Sequence, residues 1–300
     1  MSDFLGVHGD AVKDVAFEVD DVRGIFAGAV SRGARVVREP WEETDEHGTA
    51  VFATIGVFGD VEHTFVQRNG YGGAFLPGYA APRFADPLLA SLPSVPVSFI
   101  DHFVANQESG MLTDVADMYQ QQLGFHRFWS IDDSQLHTEY SALRSIVMTD
   151  FDERIRIPIT EPGSGARKSQ VQEFVDYNGG PGVQHIALNT DDIVAAVRAV
   201  RDRGVEILPV PGLYYENLKL RLATSPCKVS EDIDVLRELN VIIDYSDDGY
   251  LLQIFTQPCQ DRPTFFIEFI QRKNHLGFGV GNFKAVFEAI EQEQARRGNL

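Results

Sequence analysis

Apolar positions along the chain alternate between two rhythms. An apolar strand-like run from Val15 to Val19 is followed by Asp20-Asp21, a helix N-cap signal, and then by a helical stretch that Arg32-Gly33 ends. The same grammar returns 171 positions later. Val183 to Leu188 reads as a strand and Asp191-Asp192 as a cap. Ile193, Ala196, Val197 and Val200 form a stripe at spacings of three and four, and Arg203-Gly204 ends the helix. Lys13–Pro40 and Gln184–Pro211 align without a gap, and each copy predicts a further strand running toward its Pro.

The module ends agree as well. Thr64-Phe65-Val66-Gln67-Arg68 resembles Glu268-Phe269-Ile270-Gln271-Arg272, now 204 positions apart, so the later copy carries an insertion of 33 residues. Helices are expected in it near Tyr214–Thr224 and Ile233–Leu239. A third module opens at Ile100-Asp101-His102-Phe103-Val104, with a helix over Val115–Leu123 ended by Gly124. Strands follow at Phe125–Ile131, Tyr140–Thr149 and Arg154–Thr160. The fold class is α+β, built from repeated βαβββ modules. Residues 1–76 form an N-terminal module, 77–96 a Pro-rich linker, and 97–300 a C-terminal domain of two modules plus a terminal amphipathic helix from Asn282 to Arg297.

Composition narrows the function. At 300 residues the chain is long enough for two domains. A net charge of −18 argues against nucleic acid and anionic lipid as partners. There is no apolar run of membrane-spanning length and no signal peptide at Met1-Ser2-Asp3-Phe4, so a cytoplasmic location is expected. Two cysteines, Cys227 and Cys259, leave no disulfide framework and no thiolate zinc cage.

Glu268 is the most informative residue. It lies in the apolar strand Thr264–Ile270 and shares a face with Phe266 and Ile270. A buried carboxylate must be paired or hold a metal; the alternative is exposure at a sheet edge. His102 and His185 occupy matching places near the starts of two modules, where each alone could be a satisfied core histidine. Equal spacings of 83 residues separate His102, His185 and Glu268. The first module is a control, since its counterparts of His185 and Glu268 are Asp14 and Thr64. Two His and one carboxylate suit a non-haem Fe(II) oxygenase. The rival zinc peptidase pattern, His-Glu-x-x-His, is absent, as are a Gly-x-Ser-x-Gly elbow, a phosphate loop and a dinucleotide loop.

Five segments, Glu139–Ser145, Gly182–Leu188, Gly249–Thr256, Gln260–Thr264 and Gly277–Phe283, resemble those of the 4-hydroxyphenylpyruvate dioxygenases, and the resemblance runs from about Gly6 to Leu300. It implies the vicinal-oxygen-chelate (glyoxalase-like) fold of open half-barrels. It also implies conversion of 4-hydroxyphenylpyruvate and O2 to homogentisate and CO2 in tyrosine and phenylalanine catabolism. Fe(II) would be held by His102, His185 and Glu268. Catalytic roles would fall on Gln253, Asn282, Gln170 and Ser145, and substrate contacts on Gln184, Phe255, Phe266, Phe278, Phe283 and Thr160. The terminal helix would lie over the pocket mouth.

Two features depart from the family. Its members normally open with one further βαβββ module, here lacking. A truncated gene model, an inactive remnant, or a homodimer that covers apolar surface on the Val15–Val19 strand would each account for this. Thr160 stands where the dioxygenases usually carry Asn, and its shorter reach is expected to loosen substrate orientation. The 4-hydroxymandelate synthases, which resemble this chain in fold and triad, are the alternative activity.

Overall fold

The computed structural model describes residues 2–131, 142–165, 168–282, 291 and 294–298. After a short helix α1 (Ser2–His8), the N-terminal module runs β1 (Phe17–Glu18), α2 (Val22–Ser31), β2 (Arg35–Asp45), β3 (Gly48–Gly56) and β4 (Glu62–Gln67). Its sheet has the order β1-β4-β3-β2, with β1 parallel to β4. The segment that follows holds one short helix, α3 (Pro87–Ser91).

The next module contains β5 (Phe99–Asn106), α4 (Leu112–Leu123), β6 (His126–Ile131), β7 (Leu143–Thr149) and β8 (Arg156–Pro162). A helix α5 (Gln170–Asn178) connects it to the last module. That module comprises β9 (Gly182–Asn189), α6 (Ile193–Asp202), α7 (Gly212–Ala223), α8 (Ile233–Glu238), β10 (Ile242–Tyr245), β11 (Tyr250–Phe255) and β12 (Phe266–Lys273). These eight strands form one sheet, β10-β11-β12-β9-β5-β8-β7-β6, in which the two modules join where β5 meets β9 antiparallel. Two modules are thus fused edge to edge in one sheet.

The repeat is legible atom by atom. Asp21 and Asp192 cap α2 and α6 by accepting from Gly24 N and Ala195 N, both at 2.9 Å. Gln67 Oε1 accepts from Val22 N, and Gln271 Oε1 from Ile193 N. Phe17 faces Phe65 across β1–β4 as Leu188 faces Phe269 across β9–β12, so the two parallel pairs share one register.

Cores follow the amphipathic stripes. Ile193, Ala196, Val197 and Val200 of α6 pack with Tyr215, Leu218 and Leu236 over Leu252, Ile254 and Phe269. Val115, Ala116 and Tyr119 of α4 cover Ile146, Met148, Ile157 and Ile159. The eight-stranded sheet therefore turns one face to helices and lines a cleft with the other, whereas the N-terminal sheet packs Ala50, Phe52 and Val66 with Trp41 and Leu76.

Several expectations change. Val15, Phe17 and Val19 are half-buried rather than exposed, because Val15 and Phe17 pack into the cluster of Phe103 and Tyr119 in the neighbouring module. The exposed element is instead the edge strand β2, including Val36 and Val37. That strand continues past Pro40 to Asp45. An edge position and a register shift between Arg38 and Trp41 accommodate a residue without an N–H. The matching strand before Pro211 is reduced to a single bridge, Ile207 to Thr256, since the chain turns there into α7. Helices α1, α3 and α5 were not anticipated.

Candidate metal centre and its cleft

Three adjacent strands, β5, β9 and β12, build the site. Ala187 sits in the middle, paired with His102 on one side and Glu268 on the other. His185, two residues before Ala187, projects from the same strand face. Ala187 has no bulk to fill the space in front of it, and the three functional side chains converge there. His102 Nε2 lies 3.3 Å and His185 Nε2 3.2 Å from the same oxygen, Glu268 Oε2. All three residues are buried, Glu268 to within 1% of full burial. It lies on an interior strand of the sheet, so edge exposure does not explain it.

The surrounding hydrogen bonds fix what these atoms can be. His102 Nδ1 is 2.8 Å from Asp101 Oδ1, and His185 Nδ1 is 3.0 Å from Gln184 Oε1. Both partners are acceptors, so each imidazole donates through Nδ1–H. Each Nε2 then presents a bare lone pair toward a carboxylate oxygen. Lone pairs facing one another at this range repel unless a cation lies among them. Two imidazole nitrogens and a carboxylate oxygen, mutually within 4.8 Å, are a donor set that fits a divalent metal. Without a cation the centre must draw in a proton. Burial would lower the pKa of His102, but the carboxylates of Glu268 and Asp101 outweigh it and raise it. Burial prevails at His185, which is lowered. Burial raises Glu268, yet the two imidazoles outweigh that and hold it at about 2.

The second layer is also built. Gln253 Nε2 donates to Glu268 Oε1 at 2.9 Å, turning the other oxygen toward the imidazoles. Arg272 clamps Asp101 in a fork, Nε to Oδ2 and Nη2 to Oδ1, both at 2.8 Å. Its Nη1 donates to the carbonyls of His275 and Gly277, tying the loop that carries Phe278 to the same carboxylate. Asp101 is held below the carboxylate range because Arg272 and His102 outweigh its burial. Sequence reading missed Asp101 and Arg272 as supports; the carboxylate adjoining His102 in an apolar strand was the signal available.

In front of the centre lies a cleft of about 690 Å³, mouth included. Of the residues expected there, Ser145, Thr160, Gln170, Gln184, Gln253, Phe255, Phe266 and Phe278 line it with the three metal-site residues. Phe266 stacks on His185 at 4.8 Å, Phe255 stands edge-on to the same ring at 6.0 Å, and Phe278 stands edge-on to His102 at 5.4 Å. Asn282, in a single 3-10 turn Val280–Asn282, is placed behind Gln253; its side chain is 3.1 Å from that of Gln253 and 2.9 Å from the Tyr214 hydroxyl. Phe283 and most of the expected terminal helix lie outside the described residues. Arg297, within them, pairs with Glu173 beside an outer recess that shares Gln170, Gln184, Phe255 and Phe266 with the cleft. Thr160 is not left loose, because its hydroxyl donates to Asn106 Oδ1 at 2.6 Å.

Among the described residues no helix is long and apolar enough to cross a membrane. Residues 100–229 match the family model of the Glyoxalase/Bleomycin resistance protein/Dioxygenase superfamily. The whole chain is 56% identical to the 4-hydroxyphenylpyruvate dioxygenases of Danio rerio and Xenopus tropicalis, and spans 76% of each. A triple mutant of 4-hydroxymandelate synthase from Streptomyces coelicolor superposes with a TM-score of 0.82 at 35% identity, over 98% of this chain and 80% of that one.

Proposed function

Because the chain belongs to the 4-hydroxyphenylpyruvate dioxygenase family, we propose that it is an Fe(II) enzyme converting 4-hydroxyphenylpyruvate and O2 to homogentisate and CO2. The observation that carries this reading is the pair of bare imidazole lone pairs aimed at one buried carboxylate oxygen. His102, His185 and Glu268 hold the iron. When bound, Fe(II) would supply one-electron chemistry toward O2 beside a 2-oxo acid, with His102, His185 and Glu268 as the residues that would hold it.

The chain's own residues do the rest. Asp101 and Gln184 keep both imidazoles in the tautomer that leaves Nε2 free. Gln253 orients Glu268, with Asn282 behind it. Phe255, Phe266 and Phe278 wall the centre with rings, excluding water and giving the substrate ring flat surfaces to pack on. Ser145, Thr160, Gln170 and Gln184 offer hydrogen bonds without adding charge beside the metal. Homogentisate rather than 4-hydroxymandelate is the product we assign, in keeping with the relatives at 56% identity. A cytoplasmic homodimer is part of the same reading.

The test is an aerobic assay of purified protein with Fe(II) and 4-hydroxyphenylpyruvate, following O2 uptake and separating products by chromatography. Homogentisate as main product supports the reading. Mainly 4-hydroxymandelate would move the chain to the sister activity, and no O2 uptake would make it an inactive remnant.

A further inference from the structure

One guanidinium touches both the metal centre and the wall in front of it. Arg272 lies four residues beyond Glu268 on β12, on the same strand face. Its fork closes on Asp101, whose Oδ1 also accepts from His102 Nδ1 and whose Oδ2 also accepts from Asn189 Nδ2. Its remaining nitrogen, Nη1, donates to His275 O at 3.0 Å and Gly277 O at 2.6 Å, and the guanidinium carbon lies 5.5 Å from the centre of the Phe278 ring. Phe278 in turn stands edge-on to His102. A path that leaves His102 through Asp101 and Arg272 therefore returns to the same imidazole through the loop 275–279. Gly279, at a φ of 78°, lets that loop pass Gln253, where a Cβ would collide with Oε1.

We propose that Arg272 is a positioning residue that couples occupancy of the metal centre to the seating of the loop 275–279, so that metal binding completes the aromatic wall before an organic ligand enters. This rests on the metal-centre reading and adds an order of assembly to it. A cation on His102 Nε2 draws electron density from the ring and makes Nδ1–H a stronger donor to Asp101. Asp101 fixed in this way holds both arms of the fork, and a fixed fork holds the two loop carbonyls. Linkage makes the effect reciprocal: a seated loop keeps Asp101 on the imidazole and raises metal affinity. Lysine is no substitute, because a single ammonium has no planar fork with which to span the carboxylate and two carbonyls.

Hydrogen–deuterium exchange of the loop 275–279 with and without Zn(II), a cation that two His and one Glu also suit, tests the coupling. Zn(II) affinity is measured alongside by calorimetry. In the wild type, saturating Zn(II) should slow loop exchange by about fivefold or more. Arg272→Lys and Asp101→Asn should each abolish that slowing at saturating Zn(II) and weaken Zn(II) binding by about 10–100-fold. The double variant should be no worse than either single one, because both cut one path. Gln184→Ala is the control. Its side chain supports His185 and not the loop, so it should weaken Zn(II) binding yet keep the slowing. Loop exchange indifferent to Zn(II) in a wild type that binds it, a slowing that survives both single variants, or one lost equally in Gln184→Ala, overturns the inference. A wild type that binds no Zn(II) overturns the metal-centre reading and this inference with it.

Discussion

Glu268 accepts from Gln253 through one oxygen and faces two imidazoles with the other. Glu268→Gln keeps the shape and removes the charge. Metal affinity should fall by more than the roughly 10–100-fold typical of outer-shell changes, and turnover should vanish; metal content after dialysis together with O2 uptake checks this, and a fully active variant would contradict it. His63 makes a prediction away from the metal. Its Nδ1–H donates to Val15 O and its Nε2 accepts from the Tyr119 hydroxyl, a neutral ring that burial lowers to about 4. The unfolded chain takes up this proton near pH 6.5 while the folded one refuses it until about 4. Stability is therefore complete above pH 6.5 and falls as pH drops through that window, by about 2–3 kcal/mol at pH 4.5. His63→Gln should flatten this slope in urea titrations at pH 7 and 4.5; an unchanged slope would assign the acid sensitivity to other groups. The convergence of His102, His185 and Glu268 was legible in the sequence because a repeat put them in register. Asn106 and Arg272 were not, because their partners, Thr160 and Asp101, come from other strands that no local spacing announces.

Among the elements, α2 and α6 share one cap, and Asp192→Ala should lower stability by about 1 kcal/mol, as should Asp21→Ala, read as urea midpoints. A loss at only one of the two would show that the repeat is geometric rather than energetic. Most helices were readable, since the stripe of α6 and the Gly that follows it are local signals. The strand expected before Pro211 was not formed, because α7 begins at Gly212 and hydrophobic burial of Tyr215 and Leu218 wins over extension. α5 was missed because its start is marked only by the Ser169 cap, whose hydroxyl accepts from Gln172 N.

For the whole molecule, the eight-stranded sheet was implied by the repeat, but the edges that meet, β5 and β9, were not, since strand pairing between modules is a long-range choice. Strand β2 is left as an eleven-residue edge, Val36 and Val37 exposed upon it. Such edges favour pairing with another chain, and the proposed dimer should form through it. Light scattering at micromolar concentration should give twice the chain mass of 33.4 kDa, and Val37→Lys should shift it toward monomer; a wild-type monomer counts against the dimer.

The first module holds Asp14 and Thr64 where the last holds His185 and Glu268, and these two also meet: Thr64 N donates to Asp14 Oδ1 at 3.0 Å. One backbone frame thus accepts a hydrogen bond or a ligand set without changing its register. Architecture and reactivity are separable in this protein. Removal of a metal held by His102, His185 and Glu268 should therefore leave the sheets and their caps in place, and far-UV circular dichroism with and without chelator should superpose.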